Sequence, residues 1–562
     1  MQDQEFKDES IWYGGAKGVL FLAIILAIFF SYEVGNRNFA DPDEGRYVEI
    51  SREMAATGDF ITPMLNGLKY FEKPALFYWL QAGVVKFIGI NETSMRLWII
   101  FFAIIGCLGV FWVGSQYYSR MTGLISAGIL ATNVLYYAHS RLIILDLVVS
   151  VFISGTLWCF FIAFVKKDPK AAILKGYIFW AYIFAALACL TKGLIGIVLP
   201  GIVILLWIVF TKNWPQIKEM LYPQGILAFL IIFLPWHVMM ALRDKDFLHF
   251  YFIGEHFQRY FSTGHNRYQA PWFFIPILLV GLLPWTGFSL VAIKNSFQKA
   301  ISKNSENIFF MCWIFGVLAF FSFSSSKLIP YILPLMPPIA LITGIMLVES
   351  VGSCNKNFRS GAWSNIILFG IAYVAYILAK SEIAVVLQNP EAVLLVNIFA
   401  ILLIVVAIIP FCTIYGKASK VGTVLAYIFI STNMMWLINK VAVFYQEAKK
   451  PSTKYLAELI NMNKKKEDLV FCYKRYYQDF PVYLKATVGV VDFVGELEFG
   501  AKANKNSNQL AAESDFWELW NTTDKRIFLL SSLEHYREAF LKTNFTHRII
   551  DLDKHFIVIT NR

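Results

Sequence analysis

The sequence is poor in charge. Only 16% of its 562 residues are Asp, Glu, Lys or Arg, against roughly 25% in an ordinary soluble domain. With 57% hydrophobic residues, that shortage excludes a chain built of several soluble domains. Paired cysteine is also missing: Cys107, Cys159, Cys189, Cys312, Cys354, Cys412 and Cys472 are scattered. Cys472 alone lies beyond residue 440, so no disulfide can form within that last segment, and no CxxC pair suggests zinc. The first apolar run, 18 to 35, lacks a small-residue cleavage site and reads as a retained span rather than a signal peptide. There is no inverted repeat and no matched pair of broken helices, which argues against a transporter.

What is present in quantity is long apolar runs. After 18 to 35 they lie near 97 to 117, 121 to 138, 142 to 165, 173 to 190, 193 to 211, 225 to 242, 271 to 292, 308 to 324, 329 to 349, 362 to 380, 392 to 414 and 421 to 440. The expectation is a polytopic α-helical membrane protein of about 13 transmembrane helices. A further run, 74 to 90, is short of the roughly 20 residues needed to cross and contains Gln81 and Lys86, so it reads as an interfacial helix. Residues 1 to 440 form the membrane domain, with a first external loop at 36 to 96. Residues 441 to 562 form a small soluble α/β domain, with strand-like runs at 468 to 473, 486 to 494, 526 to 531 and 555 to 559 and helical stretches at 452 to 462 and 514 to 520.

The net charge of +11 does not imply nucleic acid. Residues 441 to 562 hold 18 Lys and Arg against 16 Asp and Glu, which leaves +9 for the membrane portion. Alternate loops there carry Lys166, Lys167, Lys170 and Lys175; Lys212 and Lys218; Lys294, Lys299 and Lys303; Lys356 and Arg359; Lys417 and Lys420. Positive loops face the cytoplasm, so the tail lies outside it. The opposite side still contains Arg46, Lys73, Arg141, Lys192, Arg243, Arg259, Arg267 and Lys327. These serve either a ligand or lipid headgroups.

The first loop carries the densest signals. Asp41-Pro42-Asp43-Glu44 has the parts of a helix start: Asp41 as N-cap, Pro42 at N1, Glu44 closing a capping box, with Gly58 placed to stop the helix. A helix start does not require Asp43, Arg46 and Tyr47, which share one face at i, i+3 and i+4. In Tyr70-Phe71-Glu72-Lys73-Pro74, Lys73 sits beside a helix N-terminus, where a cation is disfavoured unless an anion joins it. Asp146 stands at the edge of a span, either functional or pairing with Arg141. Glu255-His256 and Arg259 lie in the loop 243 to 270, and His256 with Glu72 could hold a divalent metal. Lys327 and Tyr331 stand at the mouth of a span, where Tyr331 either donates to a phosphate or belongs to the aromatic belt.

Together the motifs Asp41 to Tyr47, Gly58-Asp59, Tyr70 to Pro74, Arg141 to Asp146, Glu255-His256, Lys327 to Pro334 and Asp479 to Leu484 resemble the lipid A aminoarabinose transferases, bacterial GT-C glycosyltransferases similar to protein O-mannosyltransferases. The resemblance implies a GT-C fold, an undecaprenyl phosphate-linked sugar donor and a lipid A acceptor at the outer face of the inner membrane. By position it implies Asp43 as the catalytic aspartate and Asp146 as the second acidic position. It implies Arg46, Lys73 and Tyr331 around the carrier phosphate, and the outward basic residues Lys192 and Arg259 are expected to join them. Glu72 and His256 match metal-site positions, for zinc or another divalent ion. The tail has Asp479-Phe480-Pro481 where the family usually has Ser-Leu-Pro, which leaves the sugar open between aminoarabinose and another polyprenyl-linked sugar such as galactosamine or mannose, and the acceptor between lipid A and protein.

Overall fold

The computed structural model describes residues 15–166, 171–261, 268–351, 354–416, 419–503, 510–540 and 546–562. Lys167, Lys170, Arg267 and Lys417 lie outside the described residues. Contacts divide the chain into two compact units: Met1–Val34 with Arg96–Phe444, and Gly35–Met95 with Tyr445–Arg562. The first loop therefore groups with the tail.

The first unit is helical. Among the described residues nine helices are long and apolar enough to cross a membrane, and ten if the bent pair Phe274–Gly281 and Thr286–Ile301 is one span. Length and composition among the described residues do not confirm the expected thirteen, for local reasons. Ala16–Ser31 and Ile195–Thr211 are apolar but fall short of 18 residues. The run expected at 121 to 138 is cut after Arg120–Thr132, because Asn133 adopts an extended conformation and its side chain accepts from the Tyr136 N–H to start a new helix, Val134–His139. The run at 271 to 292 bends by 115° around Leu282 to Trp285.

Three exposed-looking basic residues turn out to serve the fold. Arg141 donates from Nη1 to Phe30 O and from Nη2 to Tyr32 O, and its Nε donates to Asn439 Oδ1. Arg96 donates to Val34 O at 3.1 Å. These bonds satisfy carbonyls at and beyond the end of Ala16–Ser31, which the helix itself leaves without partners. Lys327, 4% exposed, donates to Gln269 O and Ser324 O.

In the second unit, the first loop contributes the helix Asp43–Thr57, a two-strand hairpin of Met64–Leu65 (β1) and Leu68–Lys69 (β2), and the helix Leu76–Phe87. The latter has 12 residues, too few to cross and in keeping with an interfacial element. Gly58 ends the first helix with φ 74° and its N–H on Met54 O, a left-handed cap that favours glycine. The start differs from expectation. The helix begins at Asp43, Pro42 is the flanking residue and no side chain caps it; Glu44 instead accepts from Ala40 N at 2.9 Å. Asp41 is drawn away by tail residues.

The tail folds as a mixed sheet of Leu469–Tyr473 (β3), Gly489–Val491 (β4), Leu510–Ala511 (β5), Ile527–Ser532 (β6), Arg548–Leu552 (β7) and Phe556–Thr560 (β8), in the order β5-β4-β3-β6-β8-β7. The first four run parallel, while β8 and β7 pair antiparallel. Central β6 and β8 are nearly continuous buried apolar runs, as strands covered on both faces must be. Phe471, Phe516, Trp520, Leu529, Phe540 and Ile559 are among the residues of the core.

Candidate active site

The residues expected to act fall into two clusters, one in each unit. In the second unit, the helix Asp43–Thr57 places Asp43 and Arg46 one turn apart, and Arg46 Nη1 donates to Asp43 Oδ1 at 3.3 Å. The two differ sharply in exposure: 55% for the Asp43 side chain and 10% for Arg46. Asp43 thus offers a carboxylate to the surface while its cationic partner is sunk beneath it. Burial alone would lower the Arg46 pKa, but Tyr70 and Glu496 act against it, and the guanidinium is held well above its ordinary value. It stays charged at any working pH.

Around Arg46 lies a polar layer that sequence reasoning missed. Glu496, from the tail, forms an ion pair with Arg46 Nε at 2.5 Å. The hydroxyls of Tyr70, Tyr78 and Tyr476 are buried without a hydrogen-bond partner among the described residues. Deeper on the same helix, Arg52 grips Glu49 through two bonds of 2.6 and 2.7 Å, and Glu53 accepts from Gly67 N. Burial and the neighbouring Glu49 push the Glu53 carboxyl up to about 8, so at neutral pH it is mostly protonated and can donate to Glu49.

Asp41 accepts from Gln478 N and from Arg475, each at 2.9 Å. Beside it Asp479 is fully buried, accepting from Ser452 Oγ, Thr453 N and Thr453 Oγ1. Burial, reinforced by Asp41, raises it to about 7. The Asp479-Phe480-Pro481 variation is therefore built into the tail's own hydrogen bonding, tying residues 452 and 453 to the helix Phe480–Leu484.

Lys73 is half-buried and its Nζ donates to Glu72 O at 2.7 Å. The helix after it starts at Leu76, not at Pro74. Among the described residues no group of three or more His, Cys, Asp and Glu suited to a metal occurs. The side chain of His256 lies outside the described residues.

In the first unit, Asp146 and Lys192 form an ion pair, both mostly buried. The expected alternative partner, Arg141, is used by main-chain carbonyls. Lys192 Nζ also lies 4.8 Å from the centre of the Tyr331 ring, a cation–π distance. Tyr331 belongs to a 3-10 turn, Ile329–Leu335, set by Pro330 and Pro334. Asp146, Lys192 and Tyr331 are thus gathered from three separate helical elements. Arg259 pairs with Glu255 at 2.7 Å on one helical face.

The chain matches two family models: dolichyl-phosphate-mannose-protein mannosyltransferase over residues 16–251 and the aminoarabinose transferase C-terminal domain over residues 456–561. The undecaprenyl phosphate-alpha-4-amino-4-deoxy-L-arabinose arabinosyl transferase of Erwinia tasmaniensis is 30% identical over 396 residues, covering 67% of this chain and 70% of that protein. The crystal structure of ArnT from Cupriavidus metallidurans bound to undecaprenyl phosphate aligns with a TM-score of 0.81 at 24% identity, over 98% of this chain and 99% of that one. The archaeal oligosaccharyltransferase AglB from Archaeoglobus fulgidus aligns with a TM-score of 0.52 at 11% identity, over 94% of this chain and 70% of that one. These likenesses carry the GT-C fold across the chain. The chain belongs to the undecaprenyl phosphate-aminoarabinose arabinosyltransferase family, a group of membrane glycosyltransferases that use polyprenyl-phosphate sugars.

Proposed function

We propose that this protein transfers 4-amino-4-deoxy-L-arabinose from undecaprenyl phosphate to a phosphate of lipid A at the periplasmic face of the bacterial inner membrane. The observation that carries the reading is the pairing of an exposed carboxylate, Asp43, with a sunken guanidinium, Arg46, in a chain of this family. Both substrates are amphiphiles with anionic heads, so their chemistry calls for cations at a membrane surface. Residues 1 to 440 serve as the membrane domain, and the first loop and residues 441 to 562 are periplasmic.

In the proposed reaction a lipid A phosphate oxygen attacks the anomeric carbon of the donor. The bond from that carbon to the carrier phosphate oxygen breaks, and undecaprenyl phosphate leaves with the bonding pair, giving inversion. Arg46, Lys73 and Tyr331, with Lys192 and Arg259, neutralise the leaving phosphate as its charge grows. The acceptor phosphate is already ionised, so Asp43 has no strong base to be; it orients the acceptor or stabilises positive charge developing on the sugar. Asp146 sets the position of Lys192.

The test is transfer in proteoliposomes carrying the purified protein, undecaprenyl phosphate-aminoarabinose and lipid A, with lipid A read by mass spectrometry. A gain of one pentosamine supports the proposal. A hexosamine gain with the matching donor and none with aminoarabinose moves the donor to galactosamine, and an unchanged lipid A sinks the reading.

A further inference from the structure

The family's chemistry has been placed on the first loop and the spans, and the tail has no catalytic motif of its own. Yet among the described residues the tail supplies a closer charged contact of Arg46 than Asp43 does. Starting from the first loop, Gln478 N donates to Asp41 Oδ1 at 2.9 Å. The side chain of the same Gln478 donates from Nε2 to Glu496 Oε1 at 2.5 Å. The other oxygen of Glu496 pairs with Arg46 Nε at 2.5 Å, and Arg46 Nη1 returns to Asp43 Oδ1 at 3.3 Å. The chain of contacts is a closed ring: it leaves the motif at Asp41 and re-enters it at Asp43, two residues on.

The ring has a direction. Glu496 is 13% exposed and takes the inner edge of the guanidinium, Nε, while the Nη1 edge faces the 55% exposed Asp43. An arginine has several donors in a rigid planar fork, so fixing one edge fixes where the other points. The turn that carries Glu496, Gly495–Leu497, is followed by the helix Glu498–Ala503, which packs on β2 of the first loop. Tyr70, Tyr47 and Glu72 also act on the charge of Arg46, but the carboxylate at ion-pair distance from Nε is that of Glu496.

We infer that Glu496, braced by Gln478, is a positioning residue for the transfer reaction: it holds the inner edge of Arg46 so that the outer edge fixes Asp43. The inference rests on the proposed function for the step it serves, but the placement it asserts is a property of the protein alone. A misplacement of about 1 Å at a reacting group costs on the order of a hundredfold in rate, so a supporting residue of this kind has a large kinetic signature.

The test uses the full chain in proteoliposomes. Glu496→Gln preserves shape and removes charge; it should lower kcat at least tenfold while leaving the donor KM within about twofold, and Glu496→Asp should recover part of the loss. In an Arg46→Ala background, Glu496→Gln should cost nothing further. In parallel, modification of Arg46 by phenylglyoxal, read by peptide mass, should be faster in Glu496→Gln than in the wild type. A wild-type kcat for Glu496→Gln, or the same fractional loss in both backgrounds, overturns the inference. Should Glu496→Gln fail to accumulate, Gln478→Leu removes the brace from the other side; a severalfold loss of kcat that vanishes in the Arg46→Ala background supports the inference, and an unchanged kcat overturns it. If the wild type itself transfers no aminoarabinose, the proposed function falls alone. The labelling rate of Arg46 then decides its placement by Glu496: faster supports it, equal overturns it.

Discussion

Gly45 and Gln478 pass each other at backbone distance. A Cβ on Gly45 would sit 2.5 Å from the Gln478 carbonyl carbon and 2.5 Å from Asp479 N. Main chain cannot swing aside as a side chain can, so the helix bearing Asp43 and Arg46 approaches the tail this closely only because residue 45 has no side chain.

Gly45→Ala should therefore act as overpacking, at a cost of about 1–3 kcal/mol, and should lower both the apparent Tm and transfer activity. The measurement is thermal denaturation in detergent alongside lipid A mass spectrometry. A Gly45→Ala protein as stable as the wild type would show that the approach is not tight.

Tyr331 offers Lys192 a ring face, and the family reading offers its hydroxyl to a phosphate. The two roles separate by substitution. Tyr331→Phe keeps the ring and should lose about tenfold in kcat/KM, the scale of one hydrogen bond to a charged group. Tyr331→Leu removes both and should lose about tenfold more, the ring contact being worth roughly 0.5–2 kcal/mol. Equal losses would assign everything to the hydroxyl.

Asp43→Asn tests the kind of acceptor. A phosphate nucleophile needs no proton removed, so the variant should slow transfer while its rate stays flat across pH 6 to 9. A hydroxyl acceptor would instead demand a base, and the rate should then collapse with a steep pH dependence. The pH profile of the residual activity decides between them.

Glu53 predicts a pH-dependent stability. Its carboxyl is held at about 8 when folded, above an ordinary value of 4.5, so the folded protein keeps a proton that the unfolded chain releases. The stabilisation is fully present below about pH 4.5 and is lost as pH rises through about 8. The apparent Tm should fall between pH 5 and 8.5. Glu53→Gln, which can still accept from Gly67 N, should flatten most of that fall; Asp479, raised to about 7, leaves a residual slope of the same sign. An undiminished slope in Glu53→Gln would count against a protonated Glu53.

How far these features could be read in the sequence depends on how local their causes are. Gly58 as a helix stop and the shared face of Asp43 and Arg46 depend on a spacing of three residues or on one glycine's conformation, and both were legible; the Glu255–Arg259 pair, at a spacing of four, came only with the structure. Four of the six tail strands announced themselves as apolar runs. Leu510–Ala511 is too short to do so, and Arg548–Leu552 mixes charge with partly exposed positions, as an edge strand does. Asp41 misled as a cap because its partners, Gln478 and Arg475, lie in the tail more than 400 residues away. Glu496 gave no signal, since one glutamate in a soluble segment is ordinary until its partner is known. Composition also hides two breaks within the apolar runs: Asn133 interrupts one, and Leu282 to Trp285 turn another.

The grouping of Gly35–Met95 with Tyr445–Arg562 also sets a timetable. During synthesis the first loop is made about 350 residues before the segment that completes its unit, and at roughly 5–20 residues per second it waits some tens of seconds. Through that interval Arg46 has no Glu496 and Gly45 faces no neighbouring strand of chain. A nascent chain at that stage therefore carries every motif residue of the first loop without its finished arrangement, which comes only once residues 445 to 562 have been made.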